Sequence, residues 1–429
     1  MIKNGNSLEM LKDIKSDTVD CMVTDPPYGI SFMNKDWDKA VPDIAIWKEC
    51  LRVMKPGAFA FVMCSPRSDV QAEMVIKLKE AGFEVNFTNL YWIYASGFPK
   101  AMNISKAVDR KLGYEREIIS GSSKDAQYSG KFDQKSSTER IKLGSPISEE
   151  AKRLDGSYVG IQMKPAVEVI IVAMKPLSEK TYVDQALKNG KGITWLDDGR
   201  IPYQSDKDKN SAVWGNDFNI KNTEYEGGWK SRGEKLLASD GGRFPANLLV
   251  QDNALDNGII SKSGGVGGRS IHGRGEGYGF RPMGDASPEL PSDEGSLSRY
   301  FSIDAWYSKN IEELPDYVQR IFPFLYVPKA TSGERNEDLE SAEKYKAKNI
   351  HPTVKPLKLM TYLITIGSRP DDTILDPFMG SGTTGVAAKI LHRNFIGFEI
   401  NGKYFEIAKE RIENKMTTAV NMSDLEEEE

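Results

Sequence analysis

Between Thr373 and Glu399 the chain reads as a short apolar strand, a glycine-bearing turn, a helix and a second apolar strand that ends in an acid. Few folds accept that order. Strands with no polar face are buried on both sides, and helices between them lay them into a mostly parallel α/β sheet. The first strand is Thr373-Ile374-Leu375-Asp376, and the turn is Pro377-Phe378-Met379-Gly380-Ser381-Gly382-Thr383-Thr384. The helix spans Gly385 to Leu391, and Asn394 to Phe398 is the second strand, closed by Glu399. This is the first half of a nucleotide-binding sheet, in which ligands lie at the carboxyl ends of the strands.

Gly380 and Gly382 let the backbone approach a ligand, and Glu399 sits where a carboxylate accepts hydrogen bonds from ribose hydroxyls. The third glycine of the dinucleotide fingerprint is absent and no Walker lysine follows the turn. A ligand with a ribose and no pyrophosphate fits this pattern, and S-adenosylmethionine is one, with Asp376 toward its cationic portion or its amino group. A glycine turn alone is weak, because tight strand-to-helix turns carry glycines for packing too.

The beginning of the chain shows the same alternation. Leu8, Leu11 and Ile14 recur at helical spacing, Val19 to Val23 is a buried strand, and Asp43 to Met54 is an amphipathic helix stopped by Lys55-Pro56-Gly57. Ala58 to Cys64 is the next strand, Asp69 to Ala81 a helix ending at Gly82, Phe83 to Tyr94 a further strand, and Val167 to Met174 returns to the sheet. The strand at Val19 to Val23 runs into Asp25-Pro26-Pro27-Tyr28, where two prolines without backbone donors end any ladder. A carboxylate, a free carbonyl and an aromatic ring are thereby presented together. That set suits methylation of a nucleobase amino group. Hydrogen bonds to Asp25 and to the Pro26 carbonyl would draw the amine nitrogen toward tetrahedral character, while Tyr28 stacks on a base taken out of the duplex. A lone four-residue match reads first as an ordinary loop with a capping Asp; the glycine turn at another strand end shifts the balance.

The central chain is less regular. Residues 98 to 153 are polar, with twelve Lys or Arg against eight Asp or Glu, and composition does not decide between a DNA-facing insertion and a charged loop. From Lys175 to about Lys348, turns and scattered aromatics (Trp195, Trp214, Trp229, Trp306) predict a separate, irregular domain. Within it residues 258 to 285 hold ten glycines with Lys262, Arg269, Arg274 and Arg281, which suits either a loop ordered along phosphates or an ordinary surface loop.

With 39% hydrophobic and 28% charged residues, no run long enough for a membrane span and no signal-peptide core in Met1 to Met10, a cytoplasmic protein is expected, in a bacterium or a phage-infected host. Cys21, Cys50 and Cys64 lie in apolar surroundings without metal spacing and are expected as reduced core residues. None follows a proline, which excludes the Pro-Cys nucleophile of cytosine carbon-5 methylation. The formal charge of −5 does not favour nucleic acid, although Asp424 and Glu426 to Glu429 carry as many negative charges by themselves. Contact with DNA then rests on local basic patches.

Taken together, Asp25-Pro26-Pro27-Tyr28-Gly29-Ile30, Ser96-Gly97-Phe98-Pro99-Lys100, His351-Pro352-Thr353-Val354-Lys355-Pro356 and the glycine turn resemble the β group of amino-directed DNA methyltransferases. In that group the tetrad precedes the target-recognition region and the cofactor loop comes last. The likeness covers roughly residues 1 to 112 and 346 to 415, and the longer tetrad run is similar to phage-type site-specific adenine-N6 enzymes.

The resemblance implies a mostly parallel Rossmann-like methyltransferase sheet, circularly permuted, with a large irregular target-recognition insertion. Its divisions would be a first catalytic part over 1–176 with a polar insertion at 99–163, a recognition domain over 177–345, a second catalytic part over 346–416 and an acidic disordered tail over 417–429. Asp25, Pro26, Pro27 and Tyr28 would be catalytic. S-adenosylmethionine would be held by Asn6, Ser7, Asp25, His351, Thr353, Lys355, Asp376, Pro377, Phe378, Gly380, Ser381, Gly382, Thr383, Glu399 and Ile400, with no metal. Asn6 stands where the family usually has Asp. Double-stranded DNA is the implied partner, with a homodimer and a cognate endonuclease encoded nearby as further family-level expectations. Asp at the first tetrad position is typical of adenine-N6 enzymes, and Ser of many cytosine-N4 enzymes. Cytosine-N4 methylation by the same site is the nearest alternative, and a non-catalytic DNA-binding protein of the same fold is the alternative from another class.

Overall fold

A computed structural model of the chain describes residues 1–29, 40–93, 101–120, 142–159, 167–203, 205–206, 209, 239, 241–250, 261–263, 293–295, 301–312 and 354–423. They divide into two compact units, Met1–Ser96 with Val167–Glu429, and Gly97–Ala166. In chain order the first unit begins β1 (Ile2–Asn4), α1 (Ser7–Lys12), β2 (Val19–Thr24), α2 (Ile44–Val53), β3 (Met54–Cys64), α3 (Ser68–Ala81) and β4 (Leu90–Ile93). The second unit holds α4 (Ile104–Lys111), β5 (Ile118–Ser120), β6 (Lys142–Leu143) and α5 (Glu149–Arg153). The first unit resumes with β7 (Val167–Met174), α6 (Tyr182–Asn189), β8 (Leu248–Val250), β9 (Ser261–Ser263), β10 (Asp293–Gly295) and α7 (Ile303–Glu312). It closes with α8 (Leu357–Gly367), β11 (Thr373–Asp376), α9 (Thr383–Ile390), β12 (Asn394–Glu399) and α10 (Gly402–Ser423).

Eight strands form one sheet in the order β1-β12-β11-β2-β3-β7-β4-β8. From β1 to β3 every pairing is parallel, β7 runs antiparallel to both β3 and β4, and β8 is parallel to β4. The sheet is therefore mixed and mostly parallel. Cys21 and Val23 of β2 pack into a core shared with α8 and α9, while Met22 packs into the opposite core with Trp47, Cys50 and Val53 of α2. This two-sided burial explains why β2 shows no polar alternation. Caps set where the helices begin: Leu8 N donates to Asn6 Oδ1 at 2.9 Å, and Ala45 N to Asp43 Oδ1 at 2.7 Å.

Connections set the crevice. From β2 the chain crosses through α2 to β3 on one side, whereas from β11 it crosses through α9 to β12 on the other. Between β11 and β2 the winding reverses, and their carboxyl ends leave the crevice that open α/β sheets offer to ligands.

Several elements differ from the sequence reading. The strand expected over Phe83 to Tyr94 is confined to Leu90–Ile93, with Glu84 making only an isolated bridge to Met174. Asn86, Thr88 and Asn89 interrupt it, and asparagine is poorly suited to a pleated surface. Where a separate domain is expected over 177–345, β8 joins the main sheet and α7 packs on α8, Trp306 meeting Tyr362 edge-on at 4.8 Å. Helix α10 continues past residue 416, where a tail is expected; residues 424–429 lie outside the described residues. Among the described residues no helix is long and apolar enough to cross a membrane, and no His, Cys, Asp and Glu cluster is placed to hold a metal.

Candidate functional site

The two turns singled out in the sequence meet at this crevice. Met22 of β2 lies beside Leu375 of β11 in parallel register, so both strands end at one sheet edge. Thr24, the last residue of β2, donates its hydroxyl to Asp376 Oδ1 at 2.7 Å. Residues 352 positions apart in sequence are thus joined next to Asp25.

On the β2 side, Asp25 is held from two directions. Its Oδ1 accepts the Tyr28 hydroxyl at 2.7 Å and its Oδ2 accepts the Lys355 ammonium at 2.5 Å. Lys355 arrives from the segment just before α8, is buried, and also lies 5.7 Å from the centre of the Tyr28 ring. Burial opposes its charge, but the carboxylates of Asp25 and Glu168 outweigh that and hold the ammonium above its ordinary range. Burial and the same two carboxylates push the Tyr28 hydroxyl well up, so it stays a hydrogen-bond donor. After Tyr28 the chain turns on Gly29, at φ +69°, where a Cβ would stand 2.8 Å from the Val41 backbone nitrogen.

On the β11 side, Asp376 is 2% exposed and both its oxygens are taken: Oδ1 by Thr24 and by Phe378 N at 3.1 Å, Oδ2 by the Thr384 hydroxyl at 2.7 Å. Burial raises it to about 6 against these bonds. Its contacts are therefore with the protein, fixing the turn to β2. Gly380 adopts φ +56° and donates its N–H to Glu399 Oε2 at 2.9 Å, while Asn401 N donates to Oε1 at 2.8 Å. Burial raises Glu399 to about 7. Ser381 and Thr383 are buried and accept from Arg411, the backbone oxygen of Ser381 at 2.7 Å. Phe378 packs edge-on against Trp47 at 5.8 Å. Gly382 adopts φ +86°, and a Cβ there would lie 3.0 Å from Ala408 of α10, so its smallness also serves helix packing.

Asn6 and Ser7 stand at the start of α1, close in sequence to Asn4 and Gly5, which both donate to the Glu399 backbone oxygen. Ile400 follows Glu399 and is 63% exposed, an apolar surface beside the carboxylate. The acceptors suit a nucleoside: each Glu399 oxygen keeps a lone pair after its backbone bond, enough to accept from vicinal hydroxyls. His351 and Thr353, the Ser96 to Lys100 motif and nearly all of the glycine-rich stretch 258–285 lie outside the described residues. Lys355, expected with the cofactor set, has its ammonium on Asp25, which belongs to the same expected set. Sequence reading missed Glu168, whose Oε2 lies 3.4 Å from both the Lys355 ammonium and the Tyr28 hydroxyl. Its only signal is an acid inside the otherwise apolar run Val167–Met174. All three cysteines are buried as expected, and burial pushes the thiols of Cys21 and Cys64 up to about 12.

The buried acids give a pH dependence. An Asp that ionises near its ordinary 3.8 when unfolded but near 6 when folded leaves the folded state holding the extra proton in between. Stability from Asp376 is therefore greatest in acid and is lost as pH rises from about 4 to about 6, by about 3 kcal/mol. Thermal or urea melts at several pH values should show this fall in the wild type and its loss in Asp376→Asn; parallel curves for the two proteins would refute it.

The profile described as DNA methylase, for N6 and N4 methyltransferases, matches residues 19–410. The chain is 32% identical to the type II methyltransferase M2.DpnII of Streptococcus pneumoniae over 184 residues, 40% of this chain and 66% of that one. It is 36% identical to M2.MboI of Moraxella bovis over 142 residues, 31% of this chain and 50% of that one. The chain thus spans half to just under two thirds of these relatives' length. The solved PvuII DNA methyltransferase (cytosine-N4-specific) aligns over 96% of this chain and 85% of its own at 15% identity, with a TM-score of 0.42. Because the family profile runs from β2 through the glycine turn and into α10, this chain belongs to the DNA methylase family of N6 and N4 methyltransferases.

Proposed function

We propose that the protein is a site-specific DNA methyltransferase that moves a methyl group from S-adenosylmethionine to adenine N6 in double-stranded DNA. The observation that carries this is the Thr24–Asp376 hydrogen bond, which ties the Asp25-Pro26-Pro27-Tyr28 turn to the glycine turn at one sheet edge. Glu399 and the Gly380 turn would hold the ribose, with Ile400 against the adenine ring and Asn6 and Ser7 beside it. Bound there, S-adenosylmethionine supplies an electrophilic methyl on a sulfonium.

The rest is positioning. A target base leaves the duplex at a cost of a few kcal/mol. Tyr28, anchored through its hydroxyl, stacks on it. Asp25 and the Pro26 carbonyl accept hydrogen bonds from its amino group, which concentrates the nitrogen lone pair toward the methyl. Displacement would be direct: the N–CH3 bond forms as the S–CH3 bond breaks, S-adenosylhomocysteine leaves as the neutral thioether, and the nitrogen gives up one proton to Asp25 or to solvent, with the rate set chiefly by orientation. Asp at the first tetrad position supports adenine over cytosine. The remaining Lys, Arg and aromatic residues of 177–345 are the proposed recognition surface, and the reaction belongs in the cytoplasm, as a homodimer and beside a cognate endonuclease where one is encoded.

Incubation of unmethylated genomic DNA with the protein and S-adenosylmethionine, digestion to nucleosides and mass spectrometry test this reading. N6-methyladenine is expected. N4-methylcytosine overturns the choice of base, and no methylated nucleoside from any DNA overturns the activity.

A further inference from the structure

The contacts around Asp25 pose a problem for the proposed reaction. Its carboxylate has to accept a hydrogen bond from the target amine, yet Tyr28 occupies Oδ1 and the Lys355 ammonium sits 2.5 Å from Oδ2. A carboxylate has lone pairs to spare, but a buried ammonium at that distance draws on them and makes the group a poorer acceptor. Lys355 cannot simply withdraw, because a buried cation without an anion is strongly disfavoured.

Glu168 offers the second anion. A single oxygen, Oε2, lies 3.4 Å from the Lys355 ammonium and 3.4 Å from the Tyr28 hydroxyl, the same two donors that hold Asp25. The placement follows from the topology. Val169 of β7 pairs with Cys64, the last residue of β3. Because β7 runs antiparallel, its beginning rather than its end reaches the sheet edge where β2 and β3 stop. We propose, on the methyltransferase reading above, that Glu168 is a positioning residue: an alternative counter-ion that takes Lys355 and the Tyr28 hydroxyl when the target amine engages Asp25. The cluster holds two carboxylates and one ammonium, so Lys355 stays paired wherever it points, and Asp25 regains its acceptor strength at the moment the base arrives. A shift of under 1 Å toward Glu168 brings the long contacts into ordinary hydrogen-bond range.

A static brace between strands would need Glu168 only for stability, and the two roles separate in a double-mutant cycle. With Lys355 removed there is no ammonium to relocate, so Glu168 keeps only its 3.4 Å contact with the Tyr28 hydroxyl and most of its effect on transfer should vanish. Single-turnover methyl transfer on hemimethylated or unmethylated DNA is measured for wild type, Glu168→Gln, Glu168→Asp, Lys355→Met and Glu168→Gln with Lys355→Met, alongside cofactor affinity and melting temperature. Glu168→Gln is expected to slow transfer about tenfold or more while cofactor affinity and KM for DNA stay within twofold. Glu168→Asp is expected to recover part of the rate, and the double variant to be no slower than Lys355→Met alone, a coupling of about tenfold. Wild-type-like transfer in Glu168→Gln, or additive losses in the double variant, overturns the inference alone. Should Glu168→Gln fail to fold, Glu168→Asp with and without Lys355→Met carries the same cycle. Wild-type protein without transfer to any DNA overturns the parent reading and this one with it.

Discussion

Asp25→Ala should abolish methyl transfer, by about a thousandfold or more, while S-adenosylmethionine binds within about twofold of the wild type. The size follows from the role proposed for the carboxylate: it would accept from the reacting nitrogen itself, and the Pro26 carbonyl alone is a weaker, uncharged acceptor. The spared affinity follows from geometry. Glu399 and the Gly380 turn hold each other through the 2.9 Å bond without help from Asp25, and the Lys355 ammonium left behind still faces Glu168. Transfer of tritiated methyl to DNA and calorimetric titration of the cofactor, on the same preparation, check both halves. An equal loss of binding and transfer would move Asp25 from the chemistry to the cofactor site.

Glu399→Ala should do the reverse and weaken the cofactor about 30- to 150-fold, the effect of losing charged hydrogen bonds worth about 2 to 3 kcal/mol. The same change removes the acceptor that fixes the Gly380 and Asn401 amides, so the turn loses its anchor as well. Glu399→Gln keeps one acceptor and should fall between. Burial raises this acid to about 7, so wild-type affinity should improve as pH rises through that value and the group ionises. Titrations at pH 6 and 8 test this, and a flat profile in the wild type would argue against a ribose at this carboxylate.

Much of this was readable because the strands announce themselves. β2, β11 and β12 are buried on both faces, and their largely apolar runs, broken in β2 by the buried Asp20, mark them within a residue or so. Asp25 and Glu399 were legible because each ends such a run. Glu168 was not: an isolated acid in a buried strand says nothing of which end reaches the site until the strand's direction is known, and Val167–Met174 runs antiparallel through pairings made far away in sequence. Gly382 carries a packing constraint that was hidden for a related reason. Its φ is local, but the Ala408 that needs its missing Cβ belongs to another helix. Asp376 was recognised as important, yet its partners Thr24 and Thr384 turn it inward, which no spacing reveals. Over 177–345 the turns and aromatics hid two segments, β8 and α7, whose apolar faces complete the sheet unit.

The neighbour of β2 on one side is β11, whose first residue follows the last residue of β2 by some 350 positions. A ribosome adding 5–20 residues per second needs roughly 20–70 s to cover that distance. For that interval the nascent chain carries an apolar strand with one edge unsatisfied, the kind of edge that recruits other chains. Maturation in the cell therefore hinges on late synthesis, and holdase chaperones that shield the early strands should raise the yield of functional protein more than any slowing of translation does.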